Sequence, residues 1–75
     1  MESGYLKGIP INKTELWRLI LERGEALTKL SKASGLDGGT LARILKSGKA
    51  RPTTISKLAK FFGVNPTSLI KGDEL

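Results

Sequence analysis

An all-α fold, a compact bundle of five short helices, is what three features of this 75-residue sequence predict. Apolar residues recur at three- and four-residue intervals, as a helix with one buried face requires. Gly24, Gly48 and Gly63 stop those runs, and Gly35 falls inside a turn between two of them. No run alternates apolar and polar residues as a half-buried strand would, and no internal repeat or low-complexity tract occurs.

The first ten residues hold two glycines and a proline without any period, so residues 1–11 are expected to form a mobile arm. Asn12-Lys13-Thr14-Glu15 then offers a cap residue followed three later by glutamate, the capping-box arrangement. Helix 1 should run from Lys13 to Arg23 with Leu16, Leu19 and Ile20 inward. Trp17 and Leu21 lie four apart on an adjoining stripe, where Trp17 either widens the core or faces a partner. Helix 2 is expected from Glu25 to Ser34, burying Leu27, Leu30 and Ala33. Asp37 suits the N-cap of helix 3, which should continue to Ser47. Pro52 fits the first turn of helix 4, whose Ile55, Leu58, Ala59 and Phe62 form an apolar face. Asn65-Pro66 is a cap and first-turn pair for a short fifth helix carrying Leu69 and Ile70. Residues 12–71 thus make one domain, and 72–75 a frayed tail.

Composition removes several classes of function. The chain has no cysteine and no histidine, which excludes thiolate metal sites and disulfides and removes the commonest general base. The seven carboxylates are scattered, so catalysis is not expected, and neither a cofactor nor a small-molecule substrate is indicated. No apolar stretch approaches the roughly 18–20 residues that span a bilayer. Asn12-Lys13-Thr14 fits a glycosylation sequon but reads better as a helix cap. The last four residues are Gly-Asp-Glu-Leu, a near miss to an ER-retention signal, with no signal peptide ahead of them. A cytoplasmic protein is expected.

Charge points to a partner. The net charge is +6, and from Ala26 to Lys71 nine Lys and Arg face a single acid, Asp37. An excess of this size serves solubility alone in many soluble domains. Here it coincides with Leu27–Lys46, LTKLSKASGLDGGTLARILK, which reads as a helix-turn-helix. Leu30, Leu36, Leu41 and Ile44 supply the apolar contacts between its two helices, and Ser31 is small where they cross. Gly35 sits where a left-handed backbone is wanted, which glycine adopts without a side-chain penalty. The second helix of such a motif lies in the major groove of double-stranded DNA.

These residues, the Gly48-Lys49 stop and the run RPTTISKLAKFFGV at Arg51–Val64 resemble the DNA-binding domain of the Cro/repressor-type helix-turn-helix family, over about Asn12 to Ile70. The resemblance implies sequence-selective binding of double-stranded DNA and transcriptional regulation by a repressor of bacterial or phage type. It further implies a monomer or weak homodimer that pairs on a near-palindromic site, with Phe61, Leu69 and Ile70 as interface candidates. Family members place Gln or Thr at the start of helix 2 to hold a phosphate; this chain has Ala26-Leu27-Thr28, which leaves Thr28. Ser34 stands where an apolar residue is usual. Long polar side chains usually open the recognition helix, yet Gly38 and Gly39 occupy those positions here.

The two glycines admit three readings: drift at a helix start, close approach of their N–H groups to phosphate, or loss of base reading in a domain that now binds protein. Gly-Leu-Asp-Gly-Gly-Thr is no phosphate-cradling P-loop, because no Gly-Lys-Ser/Thr ends it. Direct readout would fall on Arg43, with Thr40 three residues before it on the same face; Arg pairs with guanine O6 and N7, or else clamps phosphate. Lys29, Lys32, Lys46, Lys49 and Arg51 would meet the DNA backbone, together with Thr28, Gly38 and Gly39. The rival is a protein-interaction or antitoxin-like module that kept the fold and uses Trp17, Phe61, Leu69 or Ile70 on a partner.

Overall fold

The computed structural model describes residues 8–71 and consists of four α-helices, a 3-10 turn and one pair of two-residue strands. In chain order these are β1 (Ile9–Pro10), α1 (Lys13–Arg23), α2 (Leu27–Ala33), α3 (Thr40–Ser47), β2 (Lys49–Ala50), α4 (Pro52–Phe62) and the 3-10 turn Pro66–Leu69. Each helical segment drives one leucine into the centre: Leu16, Leu30, Leu41, Leu58 and Leu69 all have less than 2% of their surface exposed. Burial on that scale contributes roughly 1.5–3 kcal/mol per side chain. Ile20, Ile44 and Ile55 belong to the same cluster.

Helix α1 begins and ends where its sequence says it should. Asn12 Oδ1 accepts from the Glu15 N–H at 3.1 Å, and Gly24 closes the helix at φ 67°. Only half of the expected capping box forms. The Asn12 N–H already donates to the Leu69 carbonyl at 2.9 Å, so the Glu15 carboxylate turns instead to Arg18. Trp17 does not widen the core; it is 42% exposed and Leu21 72% exposed.

Helix α2 is shorter than its periodicity predicts. Ala26 stands at its N-cap without a side-chain acceptor, so nothing holds a turn beginning at Glu25. Ala33, expected inside, is exposed, and Leu27 is half-buried. Ser34 satisfies its own hydroxyl by donating to the Leu30 carbonyl at 2.8 Å, which explains how a polar residue is tolerated there. Gly35 then reverses the chain at φ 82°.

Helix α3 starts at Thr40, two residues later than an Asp37 cap implies. Residues 37–40 form a turn in which the Thr40 N–H donates to the Asp37 carbonyl at 3.0 Å. The Asp37 carboxylate accepts from the Gly39 N–H at 3.3 Å, giving the backbone an alternative to the helix. Two successive glycines make that alternative cheap. Gly39 itself has φ −91° and ψ 2°, outside the helix and free of strain.

The end of the chain corrects the expected fifth helix. Asn65 caps as anticipated, its Oδ1 accepting from the Thr67 N–H at 3.1 Å, but the segment closes as a 3-10 turn. Leu69 is buried at 1% exposure and therefore cannot form an interface. Phe61 is half-buried under Arg23, whose guanidinium carbon lies 4.3 Å from the ring centroid and whose Nη2 donates to the Phe61 carbonyl.

The strand pair was not anticipated. Ile9 pairs with Ala50 and Pro10 with Lys49 in antiparallel register, and Ile11 bridges to Ile70. Gly8–Ile11 is thereby fastened to the domain, with Ile11 only 5% exposed, instead of belonging to an arm. The rest of that expected arm, residues 1–7, and the tail 72–75 lie outside the described residues.

Helices α2 and α3 cross over Ser31, which is fully buried and whose Oγ accepts from the Leu41 N–H at 3.0 Å. Ser31→Ala preserves the close packing but strands that N–H in the core. The variant is expected to lose about 1–3 kcal/mol of stability. A lowered urea midpoint at constant m value checks this, and an unchanged midpoint would contradict it.

Candidate nucleic-acid interface

The outer surface of α3 presents Arg43 and Lys46, both exposed, with Thr40 half-buried one turn before Arg43. Leu41 and Ile44 face the core, so the helix is held by one side and offers the other. Gly48 then reverses the chain into β2, and Pro52 begins α4. A cleft forms between these elements, lined by Thr40, Arg43, Ser47, Lys49, Arg51 and Thr54. It unites both expected base readers with two of the expected phosphate contacts. Sequence reasoning missed Ser47 and Thr54. Ser47 exchanges hydrogen bonds with the Lys49 backbone at 3.2 Å, and Thr54 lines the cleft from the first turn of α4.

A second group surrounds the start of α2. A β-carbon on Gly38 would stand 3.2 Å from Thr28 Cγ2 and 3.1 Å from Lys32 Cε, so this glycine lets the turn lie against α2. Thr28, Lys32 and Gly38 are thus brought together. Lys29, also exposed, approaches Glu25 at 3.8 Å and lies outside that group. Lys46 does not line the cleft.

The single acid of the basic half is engaged by the leading base-reading candidate. Asp37 Oδ2 accepts from Arg43 Nη2 at 3.1 Å, and the same Nη2 lies 3.4 Å from Thr40 Oγ1. The guanidinium passes beside Gly39, where a β-carbon would come within 2.9 Å of Nη1. The Gly39 N–H, considered above for phosphate, is given to Asp37. Helical spacing could not reveal this pairing, since residues 37 and 43 are separated by a turn that belongs to no helix.

Among the described residues no group of three or more acids, histidines or cysteines could hold a metal ion, and every buried side-chain polar atom has a partner. No described helix is long and apolar enough to cross a membrane.

The hydrogen bond from Arg43 holds the Asp37 carboxyl below the usual aspartate range, aided by the Gly39 N–H. A depressed folded-state pKa means the pairing is intact above the ordinary range and is lost only as pH falls through the lower folded value. The Asp37 carboxyl carbon, followed by NMR, is therefore expected to titrate below the range of an unperturbed aspartate. Arg43→Ala should move the midpoint upward, and an unchanged midpoint would show that the two side chains do not pair in solution.

The profile of the Cro/C1-type HTH DNA-binding domain family matches residues 15–72. The chain belongs to that family. Searches of curated proteins and of solved structures gave no match.

Proposed function

We propose that this member of the Cro/C1-type family is a sequence-selective regulator of transcription, a repressor of bacterial or phage type, that lays α3 in the major groove. The observation that carries the reading is the cleft that Thr40 and Arg43 line together with Lys49 and Arg51. Base edges and phosphates lie side by side along a groove, so a reader needs both kinds of side chain on one surface. Arg43 and Thr40 read bases; Thr28, Lys29, Lys32, Lys46, Lys49 and Arg51 hold the backbone, with Gly38 allowing close approach. Two copies pair weakly on DNA with half-sites one helical turn, about 34–36 Å, apart.

A second reading rests on the exposed pair Trp17 and Leu21, one turn apart on α1. A protein-interaction or antitoxin-like module would use that stripe on a partner. Such a module would show little retention on heparin or duplex DNA at moderate salt.

Two measurements test the DNA reading. With about four to six phosphates neutralised, log K against log salt is expected to slope between roughly −3.5 and −5.5, and a slope near zero removes the electrostatic basis. Arg43→Ala should lose selectivity worth roughly 1–3 kcal/mol at one base pair, whereas Lys49→Ala weakens all sequences about equally. Uniform losses in both variants would make Arg43 a phosphate contact.

A further inference from the structure

We propose that Asp37 and Gly39 are specificity-determining positioning residues: Asp37 anchors the Arg43 guanidinium, and Gly39 leaves open the space that the guanidinium crosses to reach it. The inference rests on the reading of Arg43 as a base reader and adds what makes it selective.

Arg43 needs an anchor. Its side chain is 67% exposed, and the hydrogen bonds it makes within the domain are to Asp37 and Thr40. A free arginine samples many rotamers, and restricting them before binding lowers the ordering cost of a bidentate contact. The anchor leaves the reading edge available. Asp37 and Thr40 accept from Nη2 alone, while a guanidinium carries five N–H donors.

Gly39 is the second requirement. A β-carbon there would lie 2.9 Å from Nη1 and 3.9 Å from Cζ of Arg43, so any side chain pushes the guanidinium off its path. Gly39 has negative φ, so its backbone tolerates alanine and the obstacle is the arginine. This gives one of the two glycines at the head of the recognition helix a function that neither drift nor phosphate approach supplies.

Asp37 also discriminates by charge. It is the only acid between Ala26 and Lys71, and it stands beside the base-reading candidate. A carboxylate there repels phosphate, which penalises any pose in which Arg43 merely clamps the backbone. Its removal should therefore change binding to right and wrong sequences in opposite directions. A purely structural residue would not do that.

The test begins by selecting the duplex preferred by the wild-type protein from a random pool. Affinities for that duplex and a scrambled one are then compared at one salt concentration. Asp37→Ala is expected to bind the scrambled duplex about two- to fivefold more tightly. It should bind the preferred duplex about five- to tenfold more weakly. Gly39→Ala should lower the same ratio, and adding Asp37→Ala to Arg43→Ala should lower it no further, because the two act as one unit. Asp37→Asn keeps an oxygen acceptor and should recover part of the ratio, which also supplies a readout should the alanine variant not fold. If Asp37→Ala tightens both duplexes alike, Asp37 is only a repulsive charge and the inference fails while base reading by Arg43 stands. If wild type discriminates and Arg43→Ala keeps that discrimination, the reader lies elsewhere and the inference falls with it. Equal binding of all duplexes by wild type overturns the sequence-selective reading itself.

Discussion

The hydrogen bond from the Leu41 N–H to Ser31 Oγ is the contact on which the two central helices depend. The first N–H groups of any helix lack partners within it, and Leu41 is completely buried, so water cannot serve. Residue 31 must therefore be small enough for α3 to lie close and polar enough to accept. Serine meets both conditions. Alanine meets the first alone, and larger residues would lift α3 away from Leu30 and Leu16. Since Leu41 fixes the rotation of α3, Ser31 also decides which side of that helix Thr40 and Arg43 present.

Charge is divided between the two halves of the chain by the same geometry. The acids of α1 hold an arginine of their own helix: Arg18 lies between Glu15 and Glu22 at 2.5 and 2.7 Å. Arg23 is engaged by the rings and carbonyl at the end of α4. Such exposed pairs add little stability. Their effect is to leave the cations beyond Ala26 as the main positive surface among the described residues, met by acids where Lys29 approaches Glu25 and Asp37 meets Arg43.

Local signals were legible wherever one short stretch decides the outcome. Asn12, Pro52 and Asn65 each mark a helical start by chemistry confined to one turn, and Leu16, Leu30, Leu41, Leu58 and Leu69 follow helical spacing into the core. Tertiary contacts decided the rest. A strand of two residues has no period to read, so β1 and β2 were invisible until Gly48 brought them together. Asp37 looked like a helix cap because its neighbour in space, Arg43, lies beyond a turn that glycines shape. The spacing of Thr40 and Arg43 exposed the centre of the candidate site, while Thr54 belongs to it through the path of α4. Trp17 stayed undecided because a stripe adjoining the core face carries no information about whether another helix covers it.

Residues 9–11 tie the start of the described chain to its middle at β2 and to its end at Ile70 and Lys71. Besides the pairing of Ile9 and Pro10 with β2, the Lys71 N–H donates to the Pro10 carbonyl at 3.1 Å, so the first and last described segments form one clasp. Helical turns close over a few residues, but this clasp must gather nearly the whole domain and bears the largest loop-closure entropy. Its few hydrogen bonds lie on short elements at the edge of the core. Such a clasp is expected to assemble last and release first, its opening uncovering Ile11 while Ser31 and Leu41 stay joined. Amide protons around Ile11 and Lys71 should accordingly exchange through a low-energy local route, and those of α2 and α3 only when the whole molecule unfolds.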